Sequence, residues 1–145
     1  MNASAVQATT TFVEKLSSAV NAHDIERVVD LFADDYVNET PAHPARGFRG
    51  RDQVRRNWTQ IFAAVPDIEA EILRADVAGE VVWSEWEMRG VRRDGAHHLM
   101  RGVMIFTVRD EKARSVRFYL EPVDDERSGA DADEALGQIL RQDRT

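Results

Sequence analysis

An α+β domain is what this chain predicts, on three observations. Helical stripes occupy its first half, strand-like alternation fills its second, and the hydrophobic period changes once, at Pro66. With 145 residues there is material for one core that buries roughly two thirds of the unfolded surface. The apolar fraction of 43% and charged fraction of 31% are those of an ordinary globular protein and not of a disordered one.

From about Ser4 to Ala22, the residues Phe12, Leu16, Ala19 and Val20 recur at three- and four-residue spacing, one stripe of an amphipathic helix. Asp24 is placed as the N-cap of a second helix, with Ile25, Val28, Val29 and Phe32 striped behind it as far as Asp34 and Asp35. Between Tyr36 and Arg49 the prolines Pro41 and Pro44 and the glycine Gly47 leave room for a short strand at most. Gly50 leads into a third helix, whose Val54, Trp58, Ile61, Phe62 and Val65 share a face, and Pro66 closes it.

Four strands are then expected, at about Ile68 to Val77, Val81 to Val91, His97 to Val108 and Ala113 to Glu121. Ala78-Gly79, the Asp94-Gly95 segment and the charged residues 109–112 join them at hairpin length. Helices followed by an antiparallel meander imply helices on one face of a curved sheet, an arrangement that encloses a cavity. The domain is expected to span 1–127, followed by an acidic tail, 128–145, with a short helix around Ala135 to Leu140.

Charge excludes some partners. With 26 acidic and 19 basic residues the net charge is -7, a field that repels phosphate backbones, so no nucleic-acid partner is expected. Residues 121–134 carry Glu121, Asp124 and five further acidic side chains against Arg127, which reads as a solvated linker. The absence of cysteine removes disulfides, thiolate nucleophiles and cysteine-ligated zinc. His23, His43, His97 and His98 form no helical pair at ligand spacing, so no metal is expected. Residues 1–8 lack a basic stretch followed by an apolar one, and the longest apolar run, Ile61 to Val65, is too short to span a bilayer. A cytoplasmic protein without membrane contact is the expectation.

The stretch Asn21 to Asp35, NAHDIERVVDLFADD, with Gly50-Arg51-Asp52 before the third helix and Pro66-Asp67 after it, resembles the nuclear transport factor 2-like superfamily. The resemblance runs from about Phe12 to Asp124. The long strand ending in Gly90 and the closing segment RFYLEPVD, Arg117 to Asp124, are most similar to its SnoaL-like polyketide cyclase branch. That resemblance implies a conical pocket, frequent homodimers, no organic cofactor, and activities from cyclase, isomerase, dehydratase and epoxide hydrolase to plain binding.

Fold alone does not settle chemistry, and the sequence departs from the better-known sites. Matched to the ketosteroid isomerase pattern, Leu16 stands at the tyrosine, Thr40 at the base and Met104 at the acid, so that proton relay is disfavoured. Matched to limonene epoxide hydrolase, Tyr36 and Asn38 suit the water-holding Tyr-x-Asn pair and Glu121 the last carboxylate. Trp86 and Met88, however, replace the arginine and aspartate that chemistry needs. In the SnoaL-like cyclases the acid/base carboxylate lies on the last strand, which points to Glu121.

Alternation places Arg117, Tyr119 and Glu121 on one face of the last strand, and Ser84, Trp86 and Met88 on one face of an earlier strand. With Glu121 inward, both sets line the cavity. Glu121 is then a candidate acid/base, or else it pairs structurally with Arg117. Tyr36 and Asn38 position ligand or water, or Asn38 caps a turn. His43, between two prolines, is a weaker acid/base candidate at the pocket mouth, or a solvated loop residue. Trp58, Trp86, Met88 and Met104 line the pocket or fill the core.

Trp83, on the opposite face from Trp86, is expected on the outer sheet surface, where a large aromatic suggests a homodimer interface. His97 and His98, adjacent on a strand, point to opposite faces and cannot form one site. The leading expectation is a protein that binds a small, largely apolar polyketide-, terpene- or steroid-like molecule, with cofactor-independent cyclase, isomerase or hydrolase chemistry through Glu121. The competing readings are a non-catalytic binding protein and a protein-interaction module.

Overall fold

A computed structural model describes residues 3–124 of the chain. The apolar stripe of the first segment forms helix α1 (Ala3–Asn21), which buries Phe12, Val13, Leu16, Ala19 and Val20. Its polar side chains are used as clamps. Asn21 donates from Nδ2 to the Ala70 carbonyl at 2.9 Å and accepts from the Ala70 N–H at 2.7 Å. Thr9 donates to the Gly79 carbonyl at 2.9 Å, and in the turn after the helix a ring nitrogen of His23 meets the Ile68 carbonyl at 2.9 Å.

Helix α2 (Ile25–Asp30) begins at Asp24, whose side chain accepts from the Arg27 N–H at 3.2 Å, as an N-cap should. The helix is shorter than its stripe predicts. Phe32 belongs instead to strand β1 (Phe32–Glu39), because the Ala113 N–H takes the Leu31 carbonyl at 2.8 Å and Phe32 pairs with Ala113. An aromatic suits either period, and the tertiary hydrogen bond decides between them. A 3₁₀ turn at Pro44–Arg46 and strand β2 (Phe48–Arg49) follow, then helix α3 (Arg51–Ala64).

The remaining strands are β3 (Glu69–Ala78), β4 (Val81–Val91), β5 (His97–Arg109) and β6 (Lys112–Pro122), close to the predicted limits. The sheet order is β2-β1-β6-β5-β4-β3. Only the β1–β6 pair is parallel; the other neighbours are antiparallel. The edge strand β3 is the one α1 clamps, so two of its exposed backbone groups are already satisfied.

Two glycines allow close approaches. At Gly102, with φ +152°, a Cβ would stand 2.1 Å from the Tyr119 carbonyl oxygen, so β5 lies against β6 only without a side chain there. At Gly90 a Cβ would meet Val65 Cγ1 at 2.5 Å, where β4 passes under the turn after α3.

Three helices on one face of a six-stranded, mostly antiparallel open sheet thus make the expected α+β cone. The core lies between α1 and the inner face of the sheet, with Trp86, Phe12, Phe106 and Ile68 its largest fully buried side chains. Among the described residues no helix is long and apolar enough to cross a membrane. The expected domain limit at 127, the acidic tail 128–145 and the helix at Ala135 to Leu140 lie outside the described residues.

Candidate functional site

Strand alternation turns Tyr36 and Asn38 of β1, and Thr40 just past its end, toward the helices. Tyr36 is buried, with its ring centroid 4.7 Å from Phe32 and 6.0 Å from Phe48. Thr40 donates to Asn38 Oδ1 at 2.9 Å. Burial pushes the Tyr36 phenol well above its ordinary pKa, an effect its hydrogen bond with Asn38 partly opposes. The phenol therefore stays protonated, and is a hydrogen-bond donor, across the physiological range.

These three groups border a cavity of about 370 Å³ between α3 and the sheet. Its walls are mainly apolar: Val54, Trp58 and Ile61 from α3, and Met88, Met100, Met104, Phe106, Phe118 and Leu120 from the strands. Trp58 is braced by Phe62, with ring centroids 5.6 Å apart. The other polar lining groups are Arg46, Asn57 and His98. Among the described residues, none of those lining the cavity is a carboxylate. Burial first, and the positive charge of Arg92 second, lower the His98 pKa, so its imidazole is neutral at physiological pH.

Of the residues expected at the site, Tyr36, Asn38, Trp58, Met88 and Met104 lie in the cavity wall. Trp86 does not: it is 0% exposed, and its indole N–H donates to Ser84 Oγ at 2.8 Å, which in turn donates to the Met104 carbonyl at 2.7 Å. It is core behind the wall. Arg117, Tyr119 and Glu121 do share one face of β6, but it is the outer face, the reverse of the inward orientation expected. The physical reason is the intervening Val116, Phe118 and Leu120, whose apolar side chains claim the core side.

Arg117 consequently pairs with Glu39 at 2.9 Å and not with Glu121. Glu121 Oε1 instead meets His43 Nε2 at 3.0 Å, with the side chains 40% and 39% exposed. His43 is likewise outside the cavity lining. Sequence reasoning missed Asn57, although it sits three residues after Val54 and four before Ile61 on the same stripe of α3. It also missed His98, which lines the cavity while His97 is exposed. Among the described residues, no group of three or more histidine and carboxylate side chains gathers as a metal site.

The sequence model of the SnoaL-like domain matches residues 13–116, most of the chain. The chain belongs to the SnoaL-like family. Solved structures with the fold of this SnoaL-like domain include an LEH-like epoxide hydrolase from M. tuberculosis. That protein has a TM-score of 0.69 and 20% identity, over 80% of this chain and 84% of its own. SalBIII, an epoxide hydrolase/cyclase-like enzyme with a role in pyran ring formation in polyether salinomycin, gives a TM-score of 0.70 and 18% identity over 79% and 92%. A protein with a ketosteroid isomerase-like fold from Catenulispora acidiphila, in complex with trimethylamine, gives 0.65 and 21% over 84% and 95%. No curated protein shows detectable sequence similarity to the SnoaL-like chain. At these identities the structural likeness establishes the fold alone.

Proposed function

We propose that this SnoaL-like domain binds a small, largely apolar molecule in the cavity between α3 and the sheet. The observation that carries the reading is the lining itself: a volume of about 370 Å³, walled by aliphatic, aromatic and methionine side chains, with a few neutral polar groups and one cation, Arg46. Such a surface gains by covering apolar ligand area, roughly 25 cal/mol per Å². Among the described residues that lining offers no carboxylate for proton transfer, and Glu121 lies on the other face of its strand, so the proposal is capture of the molecule, not turnover through Glu121.

The test is titration with apolar alcohols and ketones, followed by thermal shift and product analysis. Stabilisation without conversion is the expected result, and no stabilisation by any member of the series removes the proposal. Conversion abolished by Tyr36→Phe but not by Glu121→Gln would favour the second reading, cofactor-independent cyclase, isomerase or hydrolase chemistry in the same cavity. The structural neighbours SalBIII, an epoxide hydrolase/cyclase-like enzyme, and the LEH-like epoxide hydrolase support that second reading.

We further propose self-association as a homodimer through the outer sheet face, where Trp83 is 55% exposed beside β5 and β3. Sedimentation should show Trp83→Lys as a monomer at concentrations where the unaltered protein is dimeric. An unaltered protein that is already monomeric ends that proposal.

A further inference from the structure

Two sets of neutral polar groups sit at opposite ends of the cavity, as the strand register shows. Asn38 is level with Val116 on β6, whereas Met100 is level with Pro122 and His98 lies beyond it. From Thr40, one step past Glu39 and Arg117, to His98 is on the order of 20 Å along the strands at about 3.3 Å per residue, and less through space where the sheet bends. Between them the wall is Phe118, Met104, Leu120, Met88 and Met100, all apolar.

The far end is orientated by a relay that starts at a cation. Arg56 donates from Nε and Nη2 to Gln53 Oε1, at 3.1 and 2.6 Å. A guanidinium has only donors, so the oxygen of the Gln53 amide must face it and the nitrogen must face away. Gln53 Nε2 then donates to Asn57 Oδ1 at 2.7 Å. This bond fixes the orientation of the Asn57 amide, with its oxygen toward Gln53 and its N–H₂ as the unpaired edge. Asn57 Nδ2 and both ring nitrogens of His98 make no hydrogen bond among the described residues.

Asn57 and His98 border the cavity and also an adjoining shallow depression, lined further by Gln60, Ala64 and Arg92, so they stand where the two spaces meet. We propose that Asn57 and His98 form a head-group site for an acceptor oxygen, a hydroxyl or carbonyl, on an elongated apolar ligand whose second oxygen meets Tyr36, Asn38 and Thr40 at the other end. The inference rests on the binding reading above and adds the ligand's chemical class to it. Gln53 and Arg56 act as positioning residues, since they touch Asn57 directly or through one neighbour and do not line the cavity.

A neutral imidazole suits this role, since it donates from one nitrogen while accepting at the other. A ligand with oxygen at one end only can choose either pole. A ligand with oxygen at both ends needs both.

The experiment uses 1,10-decanediol and 1-decanol as probes, titrated against the full chain and followed by tryptophan fluorescence and calorimetry. Asn57→Leu and His98→Phe should each weaken the diol about fivefold, the value of roughly one neutral hydrogen bond, while leaving 1-decanol within about twofold. Gln53→Leu, outside the cavity, should weaken the diol in the same direction and answers the case in which Asn57→Leu fails to fold. Equal weakening of both probes, or of neither, in all the variants that fold overturns the head-group site and leaves cavity binding standing. If neither probe binds the unaltered protein, the binding reading fails and this inference fails with it.

Discussion

The inner and outer faces of the same three strands, β4 to β6, satisfy their polar groups in different ways. On the outer face Glu87 accepts from Arg101 Nε at 2.7 Å and from Arg89 Nη1 at 2.9 Å, and Arg89 reaches on to Glu69 and Glu71 at 3.2 and 3.4 Å. On the inner face the Trp86 indole, the Ser84 hydroxyl and the Met104 carbonyl form one short chain with no solvent in reach. Water reaches the arginines, Glu69 and Glu71 of the first network and no partner in the second. Ionic ladders on the outside are therefore abundant and individually weak, whereas each inner hydrogen bond is few in number and costly to lose.

That contrast breaks most visibly at Trp86. Trp86→Ala removes a fully buried ring and leaves Ser84 Oγ without its donor, and chemical denaturation should show a loss of about 3–5 kcal/mol. A loss below about 1 kcal/mol would mean that the wall behind Met104 is not packed as described.

A smaller effect comes from His98, also on the inner side. Its pKa is depressed in the folded protein, by burial first and by Arg92 second. The unfolded chain therefore binds more protons than the folded one below the ordinary histidine value of about 6.5, and stability should fall as pH drops through that region. His98→Gln should flatten this part of the stability–pH curve, and an unchanged slope would show that His98 is solvated. The smallest effect is expected outside. Glu87→Gln weakens two ion pairs whose arginines are exposed while Glu87 itself is largely covered, and should cost no more than about 1 kcal/mol, less in high salt. A loss comparable to that of Trp86→Ala would erase the distinction between the faces.

Much of the fold was legible because each element carries its own period. The α1 stripe, the Asp24 cap, Pro66 after α3 and the four alternating strands are local signals, read within a few residues of where they act. The site was less legible. Its polar groups come from β1, α3 and the start of β5, brought together by a register that local sequence does not contain. The signal for β6 was nonetheless present, since Val116, Phe118 and Leu120 alternate with Arg117, Tyr119 and Glu121. Apolar alternation outweighs a carboxylate's resemblance to a catalytic one, because turning the strand over would bury Arg117 and Glu121 and expose Val116, Phe118 and Leu120, and both changes cost free energy.

By itself the sequence determined the order of elements, the strand that carries Trp83 and Trp86 on opposite faces, and family membership over residues 13–116. Only the tertiary structure decided that Phe32 leaves the helix for β1, that Glu121 meets His43 outside the cavity, and that Asn57 and His98 close one end of it. Periodicity fixes which side chains share a face. Which face turns inward is a competition among all the strands for one buried volume, and no single segment encodes its result.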